Sequence, residues 1–156
     1  MALFIVNNVL AVIWMGLTGT LTVTQFCIGL VLGFGALHIF RGVFGNTRYT
    51  QRGVAFFIFV TYFIKAFVIA NISVIYIILF RSIQSLEPNI IVFSVRDLSE
   101  IEVMLLAHSI TLTPGTTTID YADGQLTVHA LDAPDPQAVR ESIDQELLKP
   151  LLGFTR

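Results

Sequence analysis

The run Val54–Phe80 constrains this chain more than any other stretch. Its 27 residues, VAFFIFVTYFIKAFVIANISVIYIILF, carry one charge, Lys65. At about 1.5 Å per residue a helix of this length reaches ~40 Å. A bilayer core takes about 20 apolar residues, so the run can cross a membrane with tilt. It also divides the chain by charge. Through Arg81 there are five bases (Arg41, Arg48, Arg52, Lys65, Arg81) and no acid. From Ser82 onward there are 11 acids and four bases, a balance of −7 against +5. This predicts a transmembrane region over 1–81 and a soluble domain over 82–156.

Two shorter apolar segments precede the long one, at about 2–17 and 23–40. The break between them, Thr18-Gly19-Thr20-Leu21-Thr22, is short and polar and predicts a helical hairpin. Each arm is at the lower limit for a span. No basic stretch precedes the first segment and no small-residue cleavage site ends it, so it is expected to be retained. The stretch 41–53 reads as a short basic loop. Cys27 is the single cysteine, which leaves no internal disulfide.

Beyond Pro88 the pattern changes to that of a small α+β domain. Asn89–Val95 is β-branched and aromatic and reads as a strand. Ser99–Ser109 reads as a helix, with Ser99 as its cap and Glu100 and Glu102 in a first turn whose dipole favours anions. Thr113–Thr116 is a turn. Thr117–Ala122 and Gln125–Ala130 are strands around Asp123-Gly124, a hairpin signal. Gln137–Leu152 is a helix, with Pro150 near its end. The expected fold is three apolar helices followed by a domain of order β-α-β-β-α. About 65 residues support only a marginal core.

Lys65 is the residue within the apolar segments that most invites a role, because an intramembrane charge usually faces protein. At 100° per residue Thr61, Tyr62, Lys65, Ser73 and Tyr76 share an arc of roughly 120°. That polar stripe reads as a contact face, on which Lys65 pairs a carboxylate of another subunit or a lipid phosphate. The plainer reading is a lysine that snorkels to the interface. Gly29-Leu-Val-Leu-Gly33 is a GxxxG pattern that permits close helix approach. It serves equally an intersubunit contact or the packing of the hairpin on itself. Asn7 and Asn8 read as helix–helix hydrogen-bonding groups, His38 as structural, and Arg41, Arg48 and Arg52 as headgroup contacts.

Much chemistry is missing. The membrane half has no Asp or Glu, the groups that ion paths through a bilayer generally need. There is no P-loop, no nucleophile elbow, no dinucleotide fingerprint and no metal-spaced His/Cys cluster. The expectation is a protein with no catalytic activity, no cofactor, no metal and no nucleic-acid partner.

Two runs carry a resemblance. Ser109-Ile-Thr-Leu-Thr-Pro-Gly-Thr116 and Asp123-Gly-Gln-Leu-Thr-Val-His129-Ala-Leu-Asp132 closely resemble the motifs of the MrpE family, one component of the Mrp-type multisubunit sodium/proton antiporter. The family usually has Ala-Asn where this chain has Ala107-His108. The likeness extends over the whole length. It implies a subunit of a hetero-oligomeric cation/proton antiporter in a bacterial plasma membrane, with other Mrp antiporter subunits and lipid as partners. Large subunits related to respiratory complex I carry the ions in such antiporters, and the MrpE chain is an accessory or stabilising component. No catalytic residue carries over. The residues of the first run, Ser109, Thr111, Thr113, Pro114, Gly115 and Thr116, together with His129, read as a folding and docking loop. Ile110 and Leu112 alternate with Thr111 and Thr113 as in a short edge strand.

Orientation is where two arguments part. Three arginines in 41–53 place that loop in the cytoplasm, and one further span would then put the domain outside. The resemblance implies a cytoplasmic domain, and that reading is adopted. Two other functions stay open: a stand-alone membrane adaptor whose acidic domain binds a partner, and a direct transporter using Lys65 and His38.

Overall fold

The computed structural model describes residues 2–44 and 48–156, except the side chains of Ala2, Arg41, Phe44 and Arg48. The headgroup contacts expected of Arg41 and Arg48 lie outside the described side chains. The chain forms two compact units, Met1–Val54 and Ala55–Arg156.

The first unit is built on the expected hairpin. Helix α1 (Ala2–Thr18) and helix α2 (Val23–Ile39) have 17 residues each. Gly19 supplies the positive φ, 67°, that turns the chain between them. Thr22 caps α2 by accepting the Gln25 N–H. The stretch 41–53 is not simply a loop. Arg41–Phe44 forms a short helix α3, and the long helix α4 begins at Arg48 and continues to Phe80, 33 residues in all. Propensity explains the earlier start, because Arg48, Gln51 and Arg52 are good helix formers that need no burial. Within α4, Tyr49–Phe80 is long and apolar enough to cross a bilayer. The shorter α1 and α2 are about 25 Å long at 1.5 Å per residue.

In the second unit α4 leads through a 3₁₀ turn, Ile83–Ser85, into the α+β domain. The three strands are β1 (Asn89–Ser94), β2 (Thr116–Ala122) and β3 (Gln125–Ala130), antiparallel in the order β1-β3-β2. Asp123 and Gly124, at φ 53° and 72°, make the β2–β3 turn, which needs positive φ at both central positions. One face of the sheet is apolar: Ile91, Phe93, Leu126, Val128 and Ala130 are buried. Helix α5 (Glu100–Leu112) covers it with Val103, Leu106 and Ile110. Ile143, Leu147 and Leu151 from the C-terminal helix complete the core. Burying each large aliphatic side chain contributes about 1.5–3 kcal/mol.

Two boundaries differ from expectation. Ile110–Leu112 is the last turn of α5, not an edge strand. The capping box of Ser99 and Glu102 starts the helix, and the helical spacing of Val103, Leu106 and Ile110 on the core carries it on past the β-branched residues. The C-terminal helix does not stop at Pro150. Helix α6 (Pro136–Ile143), a π turn (Asp144–Leu148) and helix α7 (Lys149–Thr155) follow one another without a break. The wider turn lets the Lys149 N–H bond the Asp144 carbonyl just before Pro150, which has no N–H to give.

Candidate functional site

The motif run gathers at the C-terminal end of α5. A helix ends with carbonyls that lack partners, and here threonine hydroxyls supply them. Thr113 Oγ1 and Thr116 Oγ1 both donate to the Ile110 carbonyl, at 2.6 and 2.9 Å, and lie 2.9 Å from each other. Thr118 Oγ1 donates to the Ala107 carbonyl, 3.2 Å away. Thr111 Oγ1 in turn accepts the Thr118 N–H at 3.2 Å, which ties α5 to β2. Ser109, buried, bonds back to the Leu105 carbonyl at 2.8 Å. Gly115 holds φ +90°, and its carbonyl accepts the Leu131 N–H at 2.8 Å. Every hydroxyl of the run is engaged in the fold. His108, at the position where the family has Asn, is exposed and bonds the Met104 carbonyl through Nδ1 at 2.7 Å.

The second run has a matching part. His129 stands on central strand β3 between Ile90 and Thr117. Asp132 accepts from the Arg81 guanidinium and from the Glu87 N–H, and so fixes the segment that joins α4 to β1.

Beside the first run lies a cleft of about 330 Å³. Ala66, Ile69 and Ala70 of α4 form one wall, Pro114 and Val139 part of the other, and Glu146 the polar rim. Lys65 Nζ reaches Glu146 Oε1 at 3.3 Å, so its carboxylate partner here belongs to its own chain. Along the adjoining strip of α4, Phe59 and Phe63 touch the domain core, and Phe59 meets the Phe154 ring at 5.3 Å. The other stripe residues stay apart from this contact. Tyr62 and Tyr76 are exposed, Tyr76 lies against Phe80, Ser73 is exposed, and Thr61 donates to the Phe57 carbonyl one turn back.

Gly29 and Gly33 serve the hairpin itself. A Cβ on Gly29 would sit 2.8 Å from Ala11 Cα, and one on Gly33 would overlap the Asn7 amide. Asn7 is buried and donates to Tyr49 Oη at 2.9 Å, whereas Asn8 donates to the Phe4 carbonyl of its own helix. Trp14 Nε1 donates to Gln25 Oε1 at 3.0 Å and pins the two arms near the turn. His38 lies along Phe34.

One group is not announced by the sequence pattern as a whole. Glu102 is buried and accepts the Ser99 N–H at 2.8 Å, the Thr155 hydroxyl at 2.7 Å and Arg156 Nε at 3.2 Å. The Ser99 N–H, then Thr155 and Arg156, hold its carboxyl down at about 2. The S-x-x-E spacing signals the first bond; nothing local signals the two partners more than fifty positions on. Among the described residues no three His, Cys, Asp or Glu gather as a metal site would require.

The chain is similar to known proteins over nearly its whole length. Residues 7–153 match the family model described as a Na+/H+ ion antiporter subunit. The E-type Na(+)/H(+) antiporter subunit of Alkalihalophilus pseudofirmus is 30% identical over 154 residues, 97% of each chain. That of Bacillus subtilis is 32% identical over 149 residues, covering 92% of this chain and 94% of its own. Among solved structures, a chain of the membrane-bound sulfane sulfur reductase, an archaeal respiratory membrane complex, is 29% identical with a TM-score of 0.57 over 96% of both chains.

Proposed function

Because the chain belongs to the MrpE family of multisubunit Na+/H+ antiporter components, we propose that it serves such a complex as an accessory subunit, needed for assembly or stability, outside the ion path and without catalytic activity. The observation that carries this is a pairing of two facts. The apolar helices contain no carboxylate, and the family's most recognisable run spends its hydroxyls on closing α5 and anchoring β2. An ion path needs polar groups left available to an ion. On this reading α4 anchors the chain in a bacterial plasma membrane, where lipid replaces the contacts that Phe59, Phe63 and Lys65 make with the domain, the hairpin adds a second membrane element, and the acidic domain stands in the cytoplasm. The exposed stripe of Tyr62, Ser73 and Tyr76, with Lys65, meets a neighbouring subunit or lipid.

The test is the particle recovered with a tagged copy expressed from its own gene cluster in a mild detergent. A particle of several hundred kilodaltons that contains large polytopic subunits is expected. A lone chain, or a small homo-oligomer, would overturn the proposal and favour a stand-alone adaptor. Cation flux in vesicles that contain this chain alone would instead make it a conductor.

A further inference from the structure

The sheet treats its two edges differently. The central strand is β3, so β1 and β2 both present an outer row of backbone groups. The Leu131 N–H bond to the Gly115 carbonyl turns Thr117 toward β3 and leaves the N–H groups of Thr116 and Thr118 facing out. All the outward donors of β2 are then taken within the chain. The Thr116 N–H goes to the Thr113 carbonyl at 3.3 Å, and that of Thr118 to Thr111 Oγ1 at 3.2 Å. Past the bulge at Ile119, the Tyr121 N–H goes to Asp120 Oδ1 at 2.8 Å.

On the opposite edge the Val95 N–H bond to the Gly124 carbonyl, 2.9 Å, sets Ile91 and Phe93 toward β3 and Ile90, Val92 and Ser94 outward. The Ile90 N–H is taken by Asn89 Oδ1 at 3.0 Å. Those of Val92 and Ser94 meet no acceptor among the described residues. The strand reads NIIVFS, with no proline, lysine or bulge to discourage pairing. Ile90 and Val92 lie exposed on the uncovered sheet face, 59% and 43% accessible. An open apolar edge invites edge-to-edge aggregation, and proteins usually block it. This chain blocks one edge with its own side-chain and backbone acceptors and leaves the other.

We propose that the β1 edge at Val92–Ser94 is a strand-addition site, which takes an extended segment of a neighbouring subunit with β-branched or aromatic residues opposite Ile90 and Val92 and basic residues flanking them. Charge selects this occupant. The domain from Ser82 onward has a net charge of −7, so a second copy would bring like charge to the same edge, whereas a basic segment is attracted. The inference rests on the proposed role as a complex subunit and identifies one of its contacts.

The test compares the complex purified from the native gene cluster with the chain expressed alone, by hydrogen–deuterium exchange. The peptide that covers Val92 and Ser94 is expected to exchange about tenfold more slowly in the complex, while that of Thr118 and Tyr121 changes little. Val92→Pro removes an outward donor and leaves the β1–β3 bonds in place; Val92→Lys places a charge at the edge. Both variants are expected to reach the membrane as full-length chain and to recover at least about tenfold less of the large subunits. Equal exchange of the β1 peptide in the two samples, or full recovery of the complex with both variants, overturns the strand-addition site and leaves the subunit role standing. A wild-type chain that purifies alone overturns both. A Cys27→Ser, Ser94→Cys chain that forms disulfide-linked pairs of itself in the membrane overturns the choice of occupant in favour of a second copy.

Discussion

Glu102 shows what one buried carboxylate contributes when donors from three residues surround it. Its carboxyl titrates at about 2 in the folded chain, against an ordinary value of 4.5. A depressed folded pKa stabilises the fold above the ordinary value, and that stabilisation is lost as pH falls from 4.5 through 2. Glu102→Gln is therefore expected to lower the melting temperature of the α+β domain at neutral pH. It should also flatten the decline in melting temperature below pH 4.5, measured by circular dichroism on the full chain in detergent. A variant whose acid profile matches that of the parent would show that Glu102 carries no such linkage. Half of this arrangement is legible in the sequence. Ser99 and Glu102 stand at capping-box spacing, but Thr155 and Arg156 reach the same carboxylate only because the C-terminal helix folds back over α5. The threonine run is legible in a different sense. Its resemblance to a family is plain, whereas its local conformation reads as extended because Ile and Thr favour strands. The cap at Ser99 and the core contacts of Val103, Leu106 and Ile110 decide for helix.

Among the elements the hairpin is the simplest to test. Gly29 faces the α1 backbone at Ala11, which has no side chain to move aside, whereas Gly35 faces open space. Gly29→Ala is expected to destabilise the hairpin by about 1–3 kcal/mol, the usual range for overpacking, and Gly35→Ala to stabilise it by up to about 1 kcal/mol, since alanine favours a helix over glycine. Trp14 is the single tryptophan and is hydrogen-bonded across the two arms, so its fluorescence during an SDS titration reports this element directly. Equal midpoints for the two variants would remove the close contact at Gly29. The GxxxG spacing foretells close approach but not the partner, since an own-chain helix and a foreign one present the same requirement to glycine. The start of α4 is hidden for a related reason. Hydropathy marks where apolar residues begin, and the helix begins six residues earlier, at Arg48, in residues whose helix preference does not depend on burial.

The compact units divide at Val54 and not at Arg81, and at the scale of the molecule it is the change from basic to acidic sequence that is legible from charge alone. The Lys65–Glu146 pair is not, because the partners lie 81 positions apart. The Lys65 side chain is more than half exposed, and such pairs contribute no more than about 1 kcal/mol. Lys65→Leu is therefore expected to leave the melting of the lone chain nearly unchanged while lowering the yield of intact complex, if the polar stripe of α4 meets a neighbour. A full yield of complex would confine Lys65 to its own chain. The strip of α4 at Phe59 and Phe63 carries a consequence for how the chain is made. It touches the core of the domain, and lipid around Val54–Phe80 would occupy the same surface, so one strip has two claimants. Chain order settles which arrives first. At roughly 5–20 residues per second, synthesis of the 81 positions between Lys65 and Glu146 gives the helix about 4–16 s before its own domain exists. On the proposed membrane reading, a helix delivered to the bilayer within that interval meets lipid before the domain that would cover it is made.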